Sequence, residues 1–283
     1  MTTATDVSTP PDYRHPKCYA NTRGGCSTKI SGEHYLSHGL IKLFSFDDPE
    51  FRIGHDNGLG VRRPVQPKEF KANVLCTTHN QALSPADDAA IAFASFLRGI
   101  ALKWMGGTGE WGRAESITIS GDDLQRWVLK MFLTHAAVGS FKLDGKQVNT
   151  PISADAVDLL LNRSQWPETW GLCVHGDPTN DMLKMDPFSV DVLENWWGYF
   201  PLLTTWDQTL CGGVAELTGV GLGISLFNQG RDVGALDDPR HPLRGSVQRP
   251  RSMSWVVDGV EKKIEFTWTD SWVHRTATWT MRR

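Results

Sequence analysis

Residues 12–83 show little apolar periodicity. Turn signals crowd the stretch instead: TRGG, DDPE, HDNGLG and RRPVQP. A segment this short of regular core needs another source of stability, and a bound metal is the usual one. The same stretch carries three of the five cysteines, Cys18, Cys26 and Cys76. Cys18 and Cys26 bracket the Asn- and Gly-containing turn YANTRGG, and Cys76 opens a C-x-x-H knuckle that closes at His79. Side chains from two such turns can converge on one ion in tetrahedral geometry. The spacing therefore predicts a structural Zn2+ held by Cys18, Cys26, Cys76 and His79. The competing reading is a set of free thiols and a surface histidine, because the first pair is spaced wider than a usual knuckle.

The rest of the composition bounds the chain more loosely. Its 283 residues suffice for one large domain or two small ones, and 40% hydrophobic content calls for a packed core. The formal charge of −3 excludes a global basic field, so any nucleic-acid partner must be gripped by a local patch. No apolar run reaches the ~20 residues of a membrane span, and the first residues lack a signal-peptide core. Residues 1–15 read as a flexible, Pro-containing lead and the location as cytoplasmic, with no membrane partner. An odd cysteine count argues against a disulfide framework. Cys173 and Cys211, in WGLCVHG and LCGGVAEL, read as small buried hydrophobes.

After the turn-rich stretch the texture changes. Ser84, Pro85, Asp87 and Asp88 suit a helix start, and Ile91, Phe93, Phe96, Leu97 and Leu102 suit a largely buried helix. ESITIS reads as a short strand. Ser120 caps a second helix whose Leu124, Trp127, Val128, Met131 and Phe132 share one face, and Ser153 caps a third. From WGLCVHG onward alternation and turn dipeptides predict strands, with a hairpin through Asp258-Gly259. The expected class is α+β: a zinc-stabilised module over 16–88, then a body over 89–283 with helices packed on a mainly antiparallel sheet.

SGEHYLS places Glu33 beside His34, between the two metal-binding pairs. The order Cys…Cys, EH, then LC-x-x-H-N resembles zinc-ribbon members of the HNH nuclease superfamily, the ββα-metal or His-Me finger nucleases. The resemblance covers about residues 16–88. It implies a ββα-metal-like module and hydrolysis of phosphodiester bonds, in DNA rather than RNA. His34 would be the general base, and Glu33 and Asn80 would ligate a catalytic Mg2+ or Mn2+. The family's middle Asn falls at Lys71 here, and Asn73 would fill that supporting role after a register change. Such roles make chemical sense, since hydrolysis needs an activated water and a cation to neutralise charge. A DNA-processing or defence role in bacteria or phage is a habit of that family.

Basic residues cluster at Arg62, Arg63, Lys68 and Lys71, which would contact phosphates, and again in RHPLRGSVQRPR. His38 reads as a surface or packing residue, and GVGLG (219–223) as a strand passing close to a neighbour. Two alternatives stay open. One is a non-catalytic, zinc-stapled module that binds nucleic acid or protein, fused to an α+β interaction domain. The other, with thinner support, is an active site in the body around His175, Asp177 and Asp181.

Overall fold

The structure is a computed structural model; it describes residues 10–45, 48–56, 62–105, 111–143, 145–174, 197–204, 207–218, 220–226, 243 and 246–280. The N-terminal part holds helix α1 (His38–Ser45), the antiparallel pair β1 (Ile53–Asp56) and β2 (Arg62–Val65), and the short helix α2 (Thr77–Gln81). Long helix α3 (Ser84–Met105), strand β3 (Glu115–Ser120) and helix α4 (Gly121–Ala137) follow. Next come the two-residue strands β4 (Lys142–Leu143) and β5 (Lys146–Gln147), then helix α5 (Ala154–Leu160). The remaining strands are β6 (Gly171–Val174), β7 (Trp197–Leu203), β8 (Leu210–Leu217), β9 (Val220–Ser225), β10 (Val247–Gln248), β11 (Ser252–Val257), β12 (Val260–Thr267) and β13 (Thr276–Thr280).

Helices α3 and α4 pack on each other and form the spine. Ala86, Ala90, Phe93, Ala94 and Leu97 of α3 are fully buried at helical spacing, and small alanines let the two axes approach. Leu102, expected inside, is 43% exposed near the end of α3. Helix α4 starts where the sequence predicts: Ser120 Oγ accepts the Asp123 N–H at 3.1 Å. Its face of Leu124, Trp127, Val128, Met131 and Phe132 is buried as expected. Ser153 caps α5 in the same way, accepting from Ala156 N–H at 3.1 Å.

Two sheets flank α4, not one. The first has order β10-β6-β9-β8-β7 and is antiparallel throughout. Gly223 in β9 lies so close to β6 that a Cβ there would meet Cys173 Sγ at 2.5 Å, so that position takes glycine. The second sheet, β13-β11-β12-β3, is mixed: β11 and β12 are antiparallel, but β13 and β3 join parallel to their neighbours. The β11–β12 hairpin turns at Asp258 and Gly259, with φ of 50° and 78°, values that suit a type I′ turn. Cys173 and Cys211 are buried free thiols.

In the N-terminal part, two extended segments pair before α2. Ile30 bridges Cys76 and His34 bridges Lys71, both antiparallel. Ser31 N–H donates to the Leu75 carbonyl and Ala72 N–H to the Glu33 carbonyl, each at 2.8 Å. These two extended segments precede α2, with α1 and the β1–β2 hairpin between them in the chain. A boundary after residue 88 would fall inside α3, and buried side chains from both sides of it belong to one core. Phe93, at the centre of that core, makes a direct test: Phe93→Ala should lower unfolding free energy by about 3–5 kcal/mol in urea titration.

Candidate metal centre and the His34 cleft

Three turns bring the zinc-site residues together. The chain enters Cys18 through a turn in which Cys18 N–H donates to the His15 carbonyl at 3.0 Å. Gly24 and Gly25, both with φ near 75°, reverse it toward Cys26, whose N–H donates to the Tyr13 carbonyl at 3.1 Å. Cys76 is the N-cap of α2, with its Sγ facing the His79 N–H at 3.5 Å.

His79 Nδ1 lies 3.4 Å from Cys18 Sγ, 3.5 Å from Cys76 Sγ and 3.7 Å from Cys26 Sγ. All four donor atoms fall within 4.8 Å of one another, and each residue is at most 3% exposed. Zn–S bonds near ~2.3 Å and Zn–N bonds near ~2.0 Å at tetrahedral angles put S and N roughly 3.6 Å apart, so the residues fit zinc. Burial first, then the neighbouring Cys76 and Cys26, push the Cys18 thiol up to about 12, which makes an ion-free thiolate cluster unfavourable. Four enclosed protein ligands leave no open position, the mark of a structural site. Arg23 ties the first turn to the body through Asp158 of α5, with Nε–Oδ1 at 2.8 Å.

The EH pair is only partly divided. Ser31 and Glu33 turn to one face, toward α2 and α4, while His34 borders both the small cavity beside Glu33 and a larger cleft. On the first face, Asn80 Nδ2 donates to Ser31 Oγ at 2.8 Å, and Asn80 Oδ1 is buried without a partner. Glu33 is 5% exposed and meets Lys130 of α4, Oε1 to Nζ at 2.7 Å. Lys130 also donates to both carboxylate oxygens of Asp87, at 3.0 and 2.9 Å. Ser37 Oγ donates to Asp87 at 2.5 Å and accepts from Trp127 Nε1 at 2.9 Å. Burial alone would lower the lysine's pKa; the two carboxylates outweigh it and hold the ammonium charged. Burial also raises Glu33, and Lys130 offsets this only in part.

This geometry leaves no place for a catalytic divalent ion at Glu33. The carboxylate faces an ammonium, and the cavity beside it holds about 10 Å³, room for one water at most. Mg2+ or Mn2+ with several retained waters does not fit there. Glu33 and Asn80 therefore do not form the ligand pair that the resemblance implies. Lys130 and Asp87 were the partners not foreseen. The signal was present: Lys130 is the lone charge within WVLKMFLT.

In the larger cleft, of about 480 Å³, His34 stands with His38, Arg52, Gln66, Lys68 and Lys71. Its ring stacks on His38 at 5.0 Å and 13°. Burial, then the charges of His38, Lys71 and Lys130, lower His34 to about 4, so its imidazole is neutral at pH 7. No carboxylate lines this cleft among the described residues. Lys68 and Lys71 thus stand with His34, as does Arg52, which sequence reasoning passed over. Arg62 and Arg63 lie on β2, register partners of Asp56 and His55. Asn73, exposed and with φ of 55°, lines a different depression.

In the second basic run, Arg249 is 2% exposed and pairs with Asp270 at 3.2 Å under the Trp272 ring, so it cross-links the body rather than facing a partner. His175, Asp177 and Asp181 lie outside the described residues. No described helix is long and apolar enough to cross a membrane. No protein-family model, curated protein or solved structure matches the chain.

Two measurements check this site. Elemental analysis should find one zinc per chain, lost in Cys76→Ser together with several kcal/mol of stability. Lys130→Met should cost about 3–5 kcal/mol by stranding buried carboxylates, and Glu33→Gln added to it should recover part of that loss in chemical unfolding.

Proposed function

We propose that the chain is an HNH-type endonuclease, acting on DNA, in which a zinc staple presents His34 to a phosphodiester held in the cationic cleft. The observation that carries this reading is the neutral His34 imidazole on the same wall as Lys71, Lys68 and Arg52. A neutral imidazole can take a proton from an attacking water. The three cations can neutralise the phosphate and the charge that grows on it, as a metal does elsewhere. A bound phosphate would also cancel the repulsion from Lys71 and raise the basicity of His34 toward the useful range. The paired extended segments that lead into α2 and the Cys3His cluster agree with the reading.

A second reading has its own observation. Glu33 is committed to Lys130, so the module lacks the family's carboxylate ligand and could bind nucleic acid without cutting it. Incubation with plasmid DNA in Mg2+, Mn2+ or EDTA separates the two. The enzyme reading expects cleavage that falls 100-fold or more in His34→Ala. Its kcat/KM should show no acid limb near pH 6.5, because the free-enzyme base stays unprotonated down to about pH 4. Binding without cleavage in every metal, or equal cutting by His34→Ala, would leave the binding module.

A further inference from the structure

A larger depression, about 750 Å³, opens beside the metal centre where the module meets the body. Tyr19, Asn21 and Asn73 line it from the module. Ala137 at the end of α4, with Asn149 and Thr150, lines it from the body. The volume is that of a site for a small organic ligand. Its chemistry is selective. Three carboxamides line it, of which Asn21 already donates to the His15 carbonyl at 2.9 Å, and Lys17 is the one charged residue among the described residues that line it. A free phosphate or carboxylate would need more cations, and an acyl chain would need a more apolar wall. Nucleobase edges mix donors and acceptors in the way an Asn side chain can match. Thr150 is 4% exposed and its Oγ1 has no hydrogen-bond partner, an orphan that a polar ligand could relieve.

Position adds a second argument. Lys71 lines the His34 cleft and Asn73 lines this depression, two residues along one segment. Their Cα atoms can be at most about 7 Å apart. We propose that the depression receives an unstacked nucleobase while the phosphate of the same or the next nucleotide lies against His34. The substrate class is then single-stranded or locally opened nucleic acid. This rests on the reading of the cleft as a phosphodiester site, but the pocket can be tested alone.

Full-length protein, labelled at Ala and Thr methyls and His rings, is titrated with adenosine, cytidine, inorganic phosphate and ribose 5-phosphate. Nucleosides at millimolar concentration should shift the Ala136, Ala137 and Thr150 methyls. Inorganic phosphate should shift only the rings of His34 and His38. Ala137→Trp, which fills the depression, should weaken nucleoside binding 10-fold or more and leave the phosphate response intact. Asn149→Ala, at an exposed position, should weaken it three-fold or more without any demand on folding. Nucleosides that leave the methyls unmoved, or bind both variants as well as the parent, would overturn the proposal. If phosphate then still moves the cleft histidines, the phosphodiester reading survives. Nucleoside shifts without a phosphate response would instead keep the pocket and remove the cleft.

Discussion

The N-terminal end is organised around three sulfurs and one imidazole nitrogen that lie within 4.8 Å of one another. The segments they join also send Leu36, Leu40, Ile41, Phe44 and Phe70 into the common core. Without that meeting point, the turn at Gly24 and Gly25 and the start of α2 at Cys76 would have no reason to be neighbours. With it, the extended segments around residues 31 and 75 come into hydrogen-bonding register, and α2 begins on a metal-site residue. His34 inherits its position from this chain of constraints: the register pairs it with Lys71.

The second constraint is the ammonium of Lys130 between two carboxylates. Such a buried cluster adds little net stability over a hydrocarbon core, yet it penalises every arrangement that separates its members. It anchors Glu33 of the module and Asp87 of α3 to α4 and makes the two parts one body. That anchoring uses the carboxylate that the nuclease resemblance assigns to a metal. On its other side His34 borders a cleft lined by Arg52, Lys68 and Lys71.

Much of this was legible from residue types and spacing. Cys76 and His79 at C-x-x-H spacing, Ser120 and Ser153 as caps, and Asp258-Gly259 as a turn are local signals, and local geometry honours them. The partner of Glu33 was not legible, because it sits on a helix far along the chain and only tertiary packing brings it there. The parallel joins of β3 and β13 were hidden for the same reason: alternation shows that a segment is a strand, and says nothing of its neighbour. Arg249 was misread because a basic run looks solvated until Asp270 and Trp272 close over it. For the candidate site, the Cys3His cluster was legible in the sequence, but the meeting of Glu33 with Lys130 was not.

The mixed sheet has a consequence for synthesis. Among the described residues, β3 sits at a sheet edge and pairs with β12 alone, which is synthesised after the antiparallel sheet's strands β6 to β10. Through that interval β3 lacks its described partner, while the turns that carry the Cys3His cluster are complete once α2 has emerged. Its charged first residue, Glu115, and its serines and threonine help keep the waiting strand soluble until the C-terminal hairpin arrives.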